Sequence, residues 1–120
     1  MTKQITLLDG GLGQELIKRS SAPPHPLWST KVMIDEPHLV SDIHRDFCLA
    51  GAKVIGLNTY AVSRHRLDTY APEKSLEQML ETALQVAKTG IGDASLSDKV
   101  SSVASLPPLN ASSDHTVAPA

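Results

Sequence analysis

The stretch Leu8-Asp9-Gly10-Gly11-Leu12-Gly13 decides the fold that this sequence predicts. It follows a short apolar run, residues 5–8, which begins with a β-branched side chain and has the pattern of a buried strand. Glycines directly after a strand allow a sharp turn and a close approach of a ligand to the main chain. An acid at the carboxyl end of a strand points into the crevice where α/β proteins bind ligands. Asp9, Gly10 and Gly11 are therefore candidate binding residues.

Helical and strand-like patterns alternate along the rest of the chain. Apolar spacing and capping residues predict helices over residues 12–19, 37–50, 63–70 and from Ser75 to the glycines at 90 and 92. Short apolar runs predict further strands at residues 54–57 and 100–104, and residues 106–120 are predicted to be loop or tail. Strands separated by helices pair in parallel through right-handed crossovers, so the fold class is α/β.

Two other interpretations of residues 9–13 are open. The dinucleotide-binding fingerprint requires Gly or Ala where Leu16 stands, and its acidic residue follows a second strand, whereas Asp35 follows a loop. The spacing therefore disfavours a stand-alone nucleotide-binding module. A purely structural alternative is a tight turn in which Asp9 caps the next helix.

Trp28 and the run Asn58-Thr59-Tyr60 are further candidates for a binding site. Trp28 is the only tryptophan and lies in a predicted loop, where an indole can stack on a cation or simply anchor the loop over the sheet edge. Asn58, Thr59 and Tyr60 follow the second predicted strand, where side chains either meet ligands or form strand-end hydrogen bonds. The residue pattern alone leaves both pairs of alternatives open.

The composition excludes several classes of protein. The chain has 120 residues, 41% of them hydrophobic, which is typical of one packed domain. Its formal net charge of −2 argues against nucleic acid as a partner. No apolar run approaches the ~18 residues of a membrane span, so we expect a cytoplasmic protein without membrane contact. The single cysteine, Cys48, neighbours an apolar helix face and is predicted to be a buried structural residue. No histidine pair has metal-ligand spacing on a helix.

The residues quoted so far occur together with four other stretches in an order that resembles a known family. These stretches are Pro26-Leu27-Trp28-Ser29, Pro37 to His44, Ala50-Gly51-Ala52 and Ser105-Leu106-Pro107-Pro108. Together with residues 8–13 and 55–60 they resemble the N-terminal part of the homocysteine S-methyltransferases. The resemblance extends over nearly the whole chain.

The resemblance implies a fold and an activity. The family is similar to zinc-dependent enzymes that transfer a methyl group from S-methylmethionine, S-adenosylmethionine or betaine to homocysteine, giving methionine, on a (β/α)₈ barrel. On this resemblance, Asp9 with the glycines that follow it would help to hold homocysteine, and Trp28 would line the donor side. Asn58, Thr59 and Tyr60 would lie at the mouth of the second strand.

One departure from the family limits these expectations. The family's zinc is held by three cysteines of later strands, and Cys48 does not occupy any of these positions. We therefore expect residues 1–120 to be about three βα units of the barrel, inactive alone and without zinc of their own. The alternative is a non-catalytic fragment that acts as a binding or regulatory piece.

Overall fold

The computed structural model of the chain describes residues 4–106. These residues form an α/β arrangement of five helices and two parallel strands. In chain order the elements are α1 (Leu12–Arg19), α2 (Ser29–Asp35), α3 (Pro37–Leu49), β1 (Val54–Gly56), α4 (Arg64–Tyr70), α5 (Leu76–Asp93) and β2 (Ser101–Val103). None of the helices in residues 4–106 combines the length and hydropathy that a bilayer-spanning segment requires.

The strand β1 lies between two parallel neighbours. It pairs in register with β2, Val54 opposite Ser101 and Gly56 opposite Val103. On its other side, Leu8 forms a single parallel bridge with Val54. The parallel pairing predicted from the sequence is therefore confirmed, with the segment before Asp9 and β2 on opposite sides of β1.

The prediction of a buried strand over residues 5–8 is wrong for the described part of the chain. Only Leu8 joins the ladder, and the side chains of Ile5, Leu7 and Leu8 are exposed, that of Ile5 by 90%. An apolar run becomes a buried strand only where another layer covers its side chains, and no described element covers these. The strands predicted at residues 54–57 and 100–104 are confirmed in shortened form.

Three helices begin where the sequence signals predict. α3 begins at Pro37, whose missing N–H costs nothing in the first turn, and the chain leaves it through Gly51 at φ 112°. The Ser63 hydroxyl accepts a hydrogen bond from the Arg66 N–H at the start of α4. Ser75 and Gln78 form a reciprocal capping box at the start of α5.

Two features of the helices differ from the prediction. Residues 29–35, predicted as loop, form α2, a seven-residue helix with no side-chain cap, and Thr30, Val32 and Met33 of this helix are buried. α5 continues through Gly90 and Gly92 to Asp93. Glycine lowers helix stability by only about 1 kcal/mol, so tertiary contacts at Gly90 outweigh its propensity to end a helix.

The helices pack around two adjoining cores. The larger contains Leu16, Leu27, Val32, Met33, Val40, Ile43, Val62, Leu67, Ala71, Met79, Ala83 and Val86. The smaller joins β1 to the end of α5 and contains Cys48, Ala52, Ile55 and Ile91. The burial predicted for Cys48 is therefore confirmed. On α5 the apolar residues Leu80 and Leu84 are exposed, whereas Val86 and Gly90 are buried.

Gly90 is the point of closest approach between α3 and α5. A Cβ atom at this position would lie 2.5 Å from the Ser41 carbonyl oxygen and 2.7 Å from the Cβ of His44. Both distances are shorter than any real contact of a methyl carbon, and one of the two atoms belongs to backbone. The two helices therefore pack at this separation only because residue 90 lacks a side chain.

We predict that Gly90→Ala destabilises the chain by about 1 to 3 kcal/mol, the usual cost of overpacking, despite the helix propensity that alanine adds. Urea denaturation followed by far-UV circular dichroism measures the change. Gly92→Ala is the matched control, since its added Cβ would meet only the Ser97 hydroxyl at 3.9 Å. This control should be neutral or slightly stabilising, and an equal loss in both variants would contradict the packing argument.

His44 is a buried titratable residue at the same helix contact. Its side chain has 0% exposure, and neither ring nitrogen has a hydrogen-bond partner in the described chain. Burial lowers the pKa of His44 from 6.5 to about 4, because the charged imidazolium would lose its hydration. The buried residues of α5 (Met79, Ala83, Val86, Ala87, Gly90 and Ile91) carry no titratable group. The folded chain therefore holds a neutral imidazole.

We predict that acidification from pH 6.5 to pH 4 destabilises the fold through His44. In this interval the unfolded chain binds a proton that the folded chain excludes, so stability falls with pH by on the order of 3 kcal/mol in total. Denaturant midpoints at several pH values measure the loss. His44→Leu should remove this part of the pH dependence, whereas His65→Gln, on an exposed position of α4, should retain it. Equal slopes for His44→Leu and the unsubstituted chain would refute the assignment.

Candidate functional site

Three segments end at the same edge of the small sheet. The segment that leads to Asp9, strand β1 and strand β2 run in parallel, so their carboxyl ends share one side. Binding residues of α/β proteins come from this side, because the loops that follow the strands converge there. Asp9, Asn58 and Thr59 all follow directly from these ends and are held there by hydrogen bonds.

The Asp9 carboxylate is bonded to the neighbouring strand. Its Oδ2 accepts a hydrogen bond from the Gly56 N–H at 2.9 Å, and its own N–H donates to the Val54 carbonyl at 3.0 Å. The helix cap considered from the sequence is therefore wrong: Gly11 is the N-cap of α1, and no side chain caps it. Asp9 Oδ1 has no protein donor within residues 4–106, so one oxygen of this fixed carboxylate is free to accept a hydrogen bond from a ligand.

Gly10 contributes through its small size, whereas a Cβ at Gly11 would make only ordinary contacts, at 3.8 Å from Gln14. Neither has positive φ, so the left-handed turn that glycines permit is not used here. A Cβ at Gly10 would lie 3.1 Å from the ring of Phe47, on α3. The chain after Asp9 therefore passes close against α3, which fixes the direction in which the Asp9 backbone leaves the sheet.

Asn58 connects the end of β1 to the start of α2. Its side chain is buried, and Nδ2 donates to the Ser29 carbonyl at 3.1 Å and lies 3.6 Å from the Met33 sulfur. Ser29 directly follows Trp28, so this amide fixes the turn that carries the indole. The amide hydrogens of Asn58 are therefore engaged by protein, and only its Oδ1 could face a ligand.

Thr59 and Tyr60 differ sharply in their surroundings. Thr59 is only 2% exposed, and its hydroxyl is bonded to both the N–H and the carbonyl of Ser105. Tyr60 is 59% exposed. The strand-end hydrogen bonds considered from the sequence are thus present at Asn58 and Thr59, and Tyr60 presents an accessible ring beside them in the chain.

Trp28 lies in a strained turn and faces solvent. Its φ is 53°, a value that bulky residues rarely adopt, and its side chain is 62% exposed. The loop-anchor interpretation is therefore wrong for Trp28, because the preceding residue, Leu27, is the fully buried anchor. Strain of this kind persists only where surrounding contacts impose it, and it is commonest at ligand sites.

The Trp28 indole lines a groove of about 450 Å³ between α1 and α2. Its walls are mainly apolar and include Ile17, Pro23, Pro24 and His25. Asp9, Asn58, Thr59 and Tyr60 do not line this groove, so the Asn58–Ser29 hydrogen bond is the link between the two parts of the site. The sequence pattern gave no signal for the groove, because its walls come from a proline-rich loop without periodicity.

The described residues do not fit a zinc ion. Residues 4–106 contain no group of three His, Cys, Asp or Glu side chains placed to hold a metal. Burial raises the pKa of the Cys48 thiol, and the nearby negative charge of Asp9 raises it further. A metal is bound by thiolate and not by thiol, so this environment opposes ligation by Cys48.

Comparison with known proteins identifies the family. The family model "Homocysteine S-methyltransferase" matches residues 6–119. The chain is 34% identical over 83 residues to a selenocysteine Se-methyltransferase of Brassica oleracea var. italica, and equally to homocysteine S-methyltransferase 3 of Zea mays. It is 39% identical over 51 residues, 42% of this chain and 16% of the relative, to the homocysteine S-methyltransferase of Escherichia coli (strain K12). The chain belongs to the homocysteine S-methyltransferase family.

A solved structure shares the fold. The metallated form of the homocysteine methyltransferase MmuM from Escherichia coli superposes with a TM-score of 0.74 at 22% identity, over 89% of this chain and 39% of that chain. The matches to the Brassica and Zea mays proteins cover 68% of this chain but only 24% of each relative. The chain thus spans about a quarter of the length of these curated relatives.

We predict that Asn58→Asp loosens the Trp28 turn, because a carboxylate oxygen cannot donate to the Ser29 carbonyl and repels it. Trp28 is the only tryptophan, so its fluorescence anisotropy reports on this turn alone, and the variant should show a lower anisotropy. Gln85→Glu, the same chemical change on an exposed position of α5, is the control and should leave the anisotropy unchanged. Identical anisotropy in all three proteins would show that Asn58 does not restrain the turn.

Proposed function

We propose that this chain forms part of the substrate pocket of a homocysteine S-methyltransferase, which transfers a methyl group from a sulfonium or similar donor to homocysteine and yields methionine. The observation that carries the proposal is the position of Asp9, whose carboxylate is fixed at the strand ends by the Gly56 N–H. Family membership over residues 6–119 supports the choice of reaction.

The barrel fold is part of the same proposal. In a (β/α)₈ barrel, parallel strands form an inner wall and helices cover its outside. Here Ile55 of β1 is buried against α3 and α5, whereas Leu8 and Val103 of the flanking segments are exposed. This arrangement supports assigning residues 1–120 to about three βα units of such a wall, with the strand ends at its mouth.

Asp9 is proposed to bind the ammonium group of homocysteine. Its free oxygen, Oδ1, can accept a charge-assisted hydrogen bond while Oδ2 remains on Gly56. A carboxylate already held by the protein loses little freedom when the ligand arrives. Gly10 and Gly11 would allow the ligand to approach the backbone beside it, and Tyr60 would cover it from the accessible side.

Trp28 is proposed to bind the methyl donor. A sulfonium or ammonium centre over the indole face gains about 0.5 to 2 kcal/mol, and the apolar groove beside Trp28 suits the rest of such a molecule. The zinc that the family implies would stabilise the homocysteine thiolate, but the described residues do not supply its ligands. The contribution proposed for this chain is therefore substrate binding and orientation.

The test is methionine formation from homocysteine, with added zinc and with S-methylmethionine or S-adenosylmethionine as donor, by the longest protein that carries residues 1–120, since these residues are expected to be inactive alone. We predict that Asp9→Asn, which keeps the Gly56 hydrogen bond and removes the charge, raises the KM for homocysteine at least about tenfold. Trp28→Leu should raise the KM for the donor about 3- to 30-fold, with Trp28→Phe intermediate.

The control for Asp9 is Asp98→Asn, since Asp98 is exposed in the turn before β2, at the opposite edge of the sheet, and should not affect either KM. Absence of methyl transfer with both donors would contradict the proposed activity. Methyl transfer that is insensitive to Asp9→Asn and Trp28→Leu would contradict the proposed roles of these two residues.

A further inference from the structure

The hydroxyl of Thr59 joins the ends of β1 and β2. It donates a hydrogen bond to the Ser105 carbonyl at 2.7 Å, and it accepts one from the Ser105 N–H at 2.9 Å. One side chain thus satisfies both backbone groups of a residue 46 positions away. Thr59 is 2% exposed, so a ligand has almost no access to its side chain.

This pair extends the sheet where its backbone ladder stops. The last backbone hydrogen bond between the two strands runs from the Leu57 N–H to the Val103 carbonyl at 2.8 Å. Two residues further along each chain, the Thr59 hydroxyl takes the place of the next backbone partner. A side-chain oxygen reaches farther than a backbone atom. The segments that follow β1 and β2 can therefore move apart into loops and still be joined by a hydrogen bond.

Ser105 has no other partner for its N–H in residues 4–106, and the sequence soon continues into Pro107 and Pro108. Prolines carry no N–H and cannot extend a ladder. The Thr59 hydroxyl is therefore the restraint that holds Ser105 beside the end of β1, at the edge where Asp9 also lies. Loss of the hydroxyl would leave two backbone groups without their partner.

We propose that Thr59 is a positioning residue, which sets the separation of the β1 and β2 ends at the pocket mouth and does not itself contact substrate. This inference rests on the proposed function and changes the role expected of Thr59 from substrate binding to positioning. Asp9, on the other side of β1, still binds homocysteine when the hydroxyl is removed. The hydroxyl therefore affects the alignment of bound substrates more than their affinity.

The experiment compares Thr59→Val, which removes the hydroxyl at nearly constant shape, with Thr59→Ser, which keeps it. In Thr59→Val the Ser105 amide should exchange with solvent about tenfold faster, as expected for the loss of one hydrogen bond. We predict that kcat for methyl transfer falls roughly tenfold through misalignment, while the KM for homocysteine changes less than about threefold. Thr59→Ser should restore both the Ser105 protection and kcat.

Thr82→Val is the matched control, because the Thr82 hydroxyl bonds only to the Gln78 carbonyl of its own helix. It should leave Ser105 exchange and kcat unchanged. Thr59→Ala serves as a second variant without the hydroxyl if Thr59→Val loses its far-UV helical signal.

Each unfavourable result has a distinct meaning. An unsubstituted protein that transfers no methyl group contradicts the proposed function itself. In an active protein, unchanged Ser105 exchange or unchanged kcat in Thr59→Val overturns the positioning role alone. Thr59→Ser as impaired as Thr59→Val, with Ser105 still protected, also overturns it, because the hydroxyl pair is then not the cause. A large rise in the KM for homocysteine would indicate direct contact.

Discussion

The backbone hydrogen bonds on the two sides of β1 hold the candidate site together. The Lys53 N–H donates to the Leu7 carbonyl at 2.8 Å, and the Lys53 carbonyl accepts from the Ser101 N–H at 3.0 Å, so one residue joins all three segments. Because these segments are parallel, their carboxyl ends lie at the same edge of the sheet, and so do the side chains that follow them. Asp9 and Thr59 then add a side-chain hydrogen bond on each side of β1, where the backbone ladder ends. The pocket mouth is thus an extension of the sheet.

The two faces of this sheet have unequal surroundings, which links packing to the proposed function. Ile55, on one face, is fully buried beneath α3 and α5, whereas Leu8 and Val103, on the other face, are exposed. Parallel sheets are normally covered on both faces, since neither face is polar enough to remain in water. The proposed barrel explains the imbalance, because the inner face of a barrel strand is covered by side chains of other strands. On this proposal the carboxylate of Asp9 lies at the rim of the inner face.

Local signals were enough to predict most helices, and non-local contacts account for what was missed. Proline at position 37, the Ser63 cap and the Ser75 capping box act within one turn, so the sequence alone indicates them. α5 ends at Asp93, next to the glycines predicted to end it, but the sequence did not indicate that Gly90 lies inside the helix in contact with α3. The strand ends were predicted as the binding edge from the βα order. The hydrogen bonds at these strand ends were not predicted. Asp9 and Gly56 are 47 positions apart, and the sequence alone does not give the strand register that brings them together.

The exposed indole of Trp28 follows from an arrangement of short-range hydrogen bonds around His25. The Leu27 N–H donates to His25 Nδ1 at 3.0 Å, and the Trp28 N–H donates to the His25 carbonyl at 2.9 Å. Leu27 is then directed into the core, and the positive φ of Trp28 turns the next side chain outward. Asn58 fixes the far end of the turn at Ser29. On the proposal that Trp28 binds the methyl donor, this aromatic face is already open to water and held on both sides, so it can receive a cation without first being uncovered.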